Sequence, residues 1–202
     1  EDWIKGHQFR WLVIFGHYLG PLQFIARAMK NIRTISFKNF YIDLLSFCED
    51  NPESYIGKEY LIIKNNLIKI LKNERHWGDV IPGVGDINWE VDEATCIRLV
   101  KNKDIFYKEM SDYLEKKYDM DPKVLKDIIK YQVFRLHDPN KHYPLTETFN
   151  YNIHDVIENN KKFIEKENTQ TCEGKNFTDL YEWAKHTLWF GRRIARYKTK
   201  VK

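Results

Sequence analysis

The chain has 202 residues, a formal net charge of +4 and 43% hydrophobic residues. This length predicts one domain, and the apolar content is sufficient for a substantial core. The charge excess is mild and lies mostly near the C-terminus, so nucleic acid is an unexpected partner, because its binders usually concentrate positive charge in a patch. The apolar run at residues 11–25 is interrupted by Gly, His and Pro and is too short to span a bilayer, so a buried helix pair is expected there.

Cysteine usage indicates a reducing compartment. Cys48, Cys96 and Cys172 are widely separated and form neither a CxxC pair nor a metal-ligand spacing. Free, mostly buried thiols in a cytoplasmic protein are the simplest interpretation. The phosphate loop GxxxxGKS/T, the dinucleotide motif GxGxxG and the zinc motif HExxH do not occur. These residues are therefore expected to bind no metal and no cofactor by themselves.

The N-terminal part of the chain is predicted to be helical. Residues 3–31 have helical character with a break at Gly20 and Pro21, because Pro suits the first turn of a new helix. Ser36 is expected to cap a helix over 37–48, since its hydroxyl can accept a hydrogen bond from a free backbone N–H at the helix start. His17, alone in an apolar neighbourhood, is expected to be a hydrogen-bonded core residue.

The middle of the chain is also predicted to be helical. Residues 53–73 carry apolar side chains at helical spacing, although a hairpin turning at 65–66 is an alternative. Asp121 followed by Pro122 is a strong helix start, because a carboxylate can cap the helix and Pro fits its first position. The helices predicted after residue 90 span 91–102, 104–118 and 122–137.

Strand character appears only in the C-terminal part. Residues 146–151 alternate and are rich in Thr and aromatic residues, which favours a short strand. The basic stretch 195–201 has the same period of two and predicts an edge strand. Between them we expect a helix over 153–164 capped by Asn152, a polar loop over 165–175, and a last element from Asn176 or Thr178 to Phe190. The predicted fold is a mainly α, irregular helical bundle with a small β component, formed by residues 1–202 as one domain.

One long segment, residues 76–90, fits neither a regular helix nor a strand. Pro82 lacks an amide donor, and glycines at 78, 83 and 85 favour backbone conformations that other residues avoid. The segment nevertheless carries two Trp and several aliphatic residues, so it must pack on a surface. Structured loops of this kind are either packed connections or binding sites.

Aromatic and acidic residues in and beside this segment form the main candidate site. Indole rings next to carboxylates can hold a cationic or sugar-like ligand by stacking and hydrogen bonding. The alternative is that the Trp residues fix the loop to the bundle while the acids are solvated. The candidate substrate-binding residues are His76, Trp77, Asp86, Trp89 and Glu93, with Glu90 beside them.

Two further groups of residues are weaker candidates for a functional site, because each also has a simple structural explanation. Arg135, His137 and Asp138, with His142 and Tyr143, can support proton transfer if they line a cleft, but Arg and His also favour helix C-termini for dipolar reasons. The basic, aromatic tail 186–202 can bind single-stranded nucleic acid, or it can be a solvated edge strand. No nucleophile, base and orienting group occur together.

Several segments, in their order along the chain, resemble the C-terminal region of cobalamin-dependent radical S-adenosylmethionine enzymes. Phe9-Arg10-Trp11 through residues 16–23 is similar to the helix that follows the catalytic barrel. Residues 77–89 resemble an irregular loop, and residues 149–154 and 189–193 resemble the closing aromatic and Trp-x-Gly-Arg elements.

The resemblance implies that the chain is the C-terminal helical fragment of a larger enzyme. The iron–sulfur cluster, S-adenosylmethionine and cobalamin would then be bound by upstream catalytic and cobalamin-binding domains, because the CxxxCxxC motif of the family is absent. Its role would be to cover the barrel mouth and shape the pocket for a small-molecule substrate, with no catalytic residue of its own. A helical nucleic-acid-binding or protein-interaction module is the alternative.

Overall fold

The computed structural model describes residues 2–75 and 77–188, and the fold within them is mainly α-helical with a small β component, as predicted. The helices are α1 (Asp2–Val13), α2 (Gln23–Arg33), α3 (Phe37–Asp50), α4 (Tyr55–Leu71), α5 (Val91–Lys101), α6 (Lys103–Tyr118), α7 (Pro122–Arg135), α8 (Ile153–Asn159) and α9 (Leu180–Thr187), with a π-helical turn at Ile14–Tyr18. The strands are β1 (Asp79–Val80), β2 (Asn88–Trp89), β3 (Leu145–Tyr151) and β4 (Glu165–Cys172). They form two antiparallel pairs, β1–β2 and β3–β4.

Helix starts follow local capping chemistry. The Ser36 hydroxyl accepts a hydrogen bond from the backbone N–H of Asn39 at 3.1 Å, and the Asp121 carboxylate accepts one from Lys123 at 2.7 Å, with Pro122 opening α7. Both predicted starts are confirmed. The alternative hairpin at residues 65–66 is wrong, because both residues lie inside α4.

The break at residues 20–21 is held by one buried amide side chain. Gln132 of α7 accepts hydrogen bonds at Oε1 from the backbone N–H groups of Phe24 (2.9 Å) and Ile25 (3.4 Å). Its Nε2 donates to the carbonyl of Gly20 at 3.0 Å. Two backbone N–H groups in the first turn of α2 and one carbonyl at the break are thereby satisfied away from water, where an unpaired polar group would be costly.

The π-helical turn before this break places His17 against aromatic side chains. The imidazole lies edge-on to Phe37 and Tyr41, at 5.0 and 5.9 Å between ring centroids. Its Nδ1 is buried without a hydrogen-bond partner among the described residues, so the expectation of a hydrogen-bonded core histidine is not confirmed at this atom. Burial lowers the pKa of His17.

The apolar faces of the helices meet in one continuous core. Helix α1 packs on α3, α4 and α5, and α2 packs on α3, α7 and α8. The three cysteines are free and buried, as predicted. None of the helices in the described ranges is long and apolar enough to cross a membrane. The largest fully buried side chains include Trp11, Phe15, Phe40, Trp89, Phe106, Tyr131, Phe134, Phe149 and Trp183.

The β3–β4 pair corrects part of the prediction. Strand β3 confirms the strand expected at 146–151, but residues 165–172 form β4 rather than part of a polar loop. Its polar residues are explained by pairing across the strands, since Thr146 and Thr148 hydrogen-bond to Thr171 and Thr169 through their hydroxyls. The ladder is irregular between Phe149 and Tyr151.

Two further boundaries differ from the prediction. Helix α8 ends at Asn159 instead of residue 164, because Asn160 adopts a left-handed conformation with φ of 51° that ends the helix. The Asn152 side chain does not cap α8 and instead accepts a hydrogen bond from Ile164 N at 2.9 Å. The cap of α9 is Asp179 rather than Asn176 or Thr178. Phe190 and the strand predicted at 195–201 lie outside the described residues.

Candidate functional site

The segment between α4 and α5 folds into a short antiparallel ribbon. Asp79 pairs with Trp89 and Val80 with Asn88, and the tip turns with Val84 N–H donating to Ile81 O at 3.0 Å. Trp89 is fully buried, and its indole N–H donates to the Val84 carbonyl at 3.2 Å. The indole of Trp89 therefore serves as the core of the loop and does not face solvent.

Two glycines of this loop occupy positions that only glycine fits. Gly78 has φ of +98°, and a Cβ there would lie 2.7 Å from the carbonyl oxygen of Trp89. Gly85 has φ of +68°, and a Cβ there would lie 2.3 Å from the ring of Tyr181 in α9. Positive φ values favour glycine, and the close approaches exclude side chains. The loop is thus packed on its own ribbon and on α9.

A network of buried and half-buried ion pairs fixes the start of the ribbon to the bundle. Arg98 of α5 contacts both carboxylate oxygens of Glu59 in α4, with its Nε 2.8 Å from Oε1 and its Nη2 2.7 Å from Oε2. Its Nη1 lies 3.4 Å from the Asp79 carboxylate, which also pairs with Arg75. Such a two-point guanidinium–carboxylate contact fixes direction as well as distance.

Trp77 is the candidate residue that the loop presents at the surface next to other aromatic rings. Its side chain is 37% exposed, and its ring centroid lies 5.7 Å from that of His7 in α1. Trp3 lies one helical turn before His7, with 4.1 Å between the ring centroids, and is 41% exposed. We refer to Trp3, His7 and Trp77 as the aromatic face.

The backbone of Trp77 is held firmly. The Asn88 side-chain amide donates to the Trp77 carbonyl at 2.7 Å, and Arg75 donates to the Gly78 carbonyl at 2.7 Å. An exposed ring on a backbone fixed in this way suits stacking against a flat ligand or partner, because the backbone loses little freedom on binding.

The other predicted site residues do not join the aromatic face as a group. Asp86 is exposed on the loop, and Glu93 is buried, where its carboxylate accepts a hydrogen bond from the backbone N–H of Glu90 at 3.2 Å as part of the capping of α5. His76 lies outside the described residues. The structure thus leaves Trp77 and Asp86 accessible, whereas Trp89 and Glu93 are buried in structural roles.

Trp3 and His7 were not among the residues predicted for a site. Their signal in the sequence is a spacing of four within a helix, which places two rings on the same helical face. Their closeness to Trp77, however, depends on how the loop folds back over α1, and no local pattern contains that information.

The second predicted group, at the end of α7, mainly has a structural role. The His137 ring stacks on Tyr143 at 4.6 Å between centroids, and its Nε2 donates to the Lys175 carbonyl at 2.8 Å. Asp138 is buried and forms an ion pair with Lys103. Burial lowers the pKa of His137. These contacts hold the chain after α7 against 173–178, and the exposed His142 does not take part in them.

Arg135 belongs to a different group of charged residues, together with Arg27 and Glu158. The tail proposed for nucleic acid lies largely outside the described residues. Within the described part of the chain, no three His, Cys, Asp or Glu side chains are arranged to hold a metal ion.

No protein-family model matches this chain, and no curated protein matches it.

Proposed function

We propose that this chain is a helical accessory domain that contacts substrate in a cobalamin-dependent radical S-adenosylmethionine enzyme of a reducing, cytoplasmic compartment. The cluster, S-adenosylmethionine and cobalamin would be held by upstream domains of the same protein. The order of the resembling segments along most of the chain supports this proposal, together with its mainly helical fold.

The aromatic face is the observation that supports a substrate-contacting role. Trp3 and Trp77 are large apolar side chains that are 41% and 37% exposed, with the His7 ring next to both. Exposed aromatic side chains held by a rigid scaffold are typical of binding surfaces. Asp86 adds an exposed carboxylate elsewhere on the same loop, which can attract a cationic ligand.

The class of enzyme is tested on the full-length natural protein. After anaerobic purification we expect iron and sulfide in the stoichiometry of a cluster, together with bound cobalamin in the absorption spectrum. A full-length protein that turns over its substrate without iron or cobalamin would contradict the assignment.

The role of the aromatic face is tested in the same protein by Trp77→Ala. We expect the specificity constant for substrate to fall by about tenfold or more, as for the loss of an aromatic anchor, while the iron content stays unchanged. Val80→Ala is the matched control, since Val80 lies on the same ribbon and is 62% exposed. Equal turnover in the two variants would exclude a substrate contact at Trp77.

A protein-interaction module is the second candidate, and the same exposed rings favour it. Apolar aromatic side chains anchor many protein interfaces. On this alternative, the chain forms a dimer or binds a protein partner through the aromatic face. Light scattering of the wild-type chain and of Trp77→Ala distinguishes the two, because a dimer that dissociates in the variant leaves no room for substrate at this surface.

A further inference from the structure

The outer face of α4 carries aliphatic side chains that the bundle leaves uncovered. Leu61 is 36% exposed and Leu71 is 55% exposed, and Ile68 between them is half-buried. Because an α-helix repeats at intervals of three, four and seven residues, these three side chains lie on one strip along the helix. At a rise of about 1.5 Å per residue the strip is about 15 Å long. We refer to Leu61, Ile68 and Leu71 as the α4 strip.

The charged side chains beside the α4 strip are positive. Lys64 follows Leu61 by one helical turn, and Lys72 follows Ile68 by one turn, so both lysines share the face of the strip. Both are exposed, as is Lys69 in the last turn of α4. Within residues 2–75 and 77–188, none of the three lysines forms an ion pair.

Carboxylates do not balance this end of α4. Glu59 is the acidic residue of the helix, and it is buried and paired with Arg98. Near the start of the helix, Lys58 pairs with Glu53 at 3.7 Å. Beyond its end, Glu74 is exposed and stands against the three lysines. The C-terminal half of α4 therefore presents more positive than negative charge next to its apolar strip.

This combination favours an acidic helix as the partner. A helix laid along the α4 strip can bury its own apolar side chains there and place Asp or Glu opposite the lysines. A second copy of α4 would bring lysine against lysine, which costs free energy. A lipid surface suits a helix whose cations lie apart from its apolar face, whereas Lys64 lies among the apolar residues of the strip.

We propose that the α4 strip, with Lys64, Lys69 and Lys72, is the docking surface for an amphipathic helix of a partner protein that carries acidic residues beside its apolar positions. The aliphatic contacts supply affinity, and the lysines supply orientation and selectivity for acidic partners. The surface contains no residue of the aromatic face and does not depend on the proposed function of that face.

The test measures the fluorescence anisotropy of a labelled synthetic helix on addition of the whole chain. In this acidic probe, leucine recurs at helical spacing and glutamate fills the flanking positions. A basic probe has lysine in place of every glutamate. We expect the acidic probe to bind, and to bind more weakly as the salt concentration rises, while the basic probe does not bind. Equal binding of the two probes would overturn the proposal.

Leu71→Ser tests the apolar contact. We expect the dissociation constant of the acidic probe to rise by about tenfold, as for the loss of an apolar anchor. Ile105→Ser is the matched control, because Ile105 lies on α6 and is 56% exposed, close to the exposure of Leu71. Equal dissociation constants for the two variants would reject the α4 strip as the contact.

Lys69→Glu tests the charge without changing the strip. Lys116→Glu is its control, since both lysines are exposed in the last turn of their helices and the helix dipole acts on both alike. We expect Lys69→Glu to weaken binding of the acidic probe by about fivefold and Lys116→Glu to leave it unchanged. Equal weakening in both variants would mean that the probe responds to net charge alone, and would overturn the proposal.

Two further measurements identify the occupant if the partner is not a helix. Phosphatidylserine vesicles that bind the wild type but not Lys69→Glu, with no binding of the acidic probe, would assign the surface to lipid headgroups. Light scattering that shows a dimer, dissociated by Leu71→Ser, would assign it to a second copy of the chain. Either result overturns the proposal.

Discussion

Two irregular connections of this protein use similar residues in opposite ways. The loop 77–90 and the connection 136–144 both combine aromatic rings and a carboxylate that forms an ion pair, Asp79 in one and Asp138 in the other. The connection buries its His137 and Tyr143 rings against 173–178. The loop buries one Trp and leaves the other at the surface. The difference shows that an exposed aromatic ring indicates a binding surface only when other side chains already form the packed interior of its loop.

The largest effect on stability is expected from Trp89→Ala, which removes the buried indole of the loop. The indole is fully buried and donates to Val84 O. The change should lower the free energy of unfolding by about 4 kcal/mol, because it leaves a cavity and an unpaired carbonyl. Chemical denaturation of the wild type and the variant measures this loss. A loss below about 1 kcal/mol would show that Trp89 is not the core of the loop.

An intermediate effect on stability is expected when the pH is lowered, because the connection 136–144 buries His137. The pKa of His137 is lowered from its ordinary value of 6.5 by burial, so the unfolded chain binds a proton more readily than the folded one. Stability should therefore be fully present above pH 6.5 and decrease as the pH falls below it, by at most about 1.4 kcal/mol per pH unit for this imidazole.

His17 and His154 have pKa values lowered in the same direction, so their contributions add to that of His137. Denaturation at a series of pH values should thus give a shallower slope for His137→Gln than for the wild type. Identical slopes would mean that the connection does not keep its imidazole neutral.

The smallest effect on stability is expected from Trp77→Ala. Trp77 is 37% exposed and its ring lies 5.7 Å from the His7 ring of α1, so the change should cost less than about 1 kcal/mol. Denaturation beside Trp89→Ala measures the contrast between the two indoles of one loop. A similar loss of unfolding free energy in both variants would show that the two indoles do not differ in how they pack.

Local chemistry made much of the fold predictable. Ser36 and the pair Asp121-Pro122 mark helix starts because their own atoms satisfy the first backbone N–H groups. Strand β4 was missed because its polar residues gain order only from a partner strand about twenty residues away. The early end of α8 depends on Asn160 adopting a left-handed conformation, which Asn permits but does not require.

The candidate site was less predictable than the fold. The sequence identifies 76–90 as a packed, irregular segment, but not which indole points inward. Trp89 is paired with Asp79 in the ribbon and is buried, whereas Trp77 precedes the ribbon and is exposed. Trp3 reaches Trp77 only through the tertiary fold, and the contacts of Glu158 with Arg27 and Arg135 likewise join three separate helices.

The junction before α2 is held by the side-chain amide of Gln132, a group that does not titrate. It donates to one backbone group and accepts from two others, and it carries no proton that can be lost or gained between acid and alkaline conditions. A glutamate of the same shape would keep the two acceptor contacts but turn an oxygen toward the Gly20 carbonyl. The bend between the first two helices is therefore held by a group that does not titrate, whereas His17, three residues before Gly20, has a pKa that burial lowers.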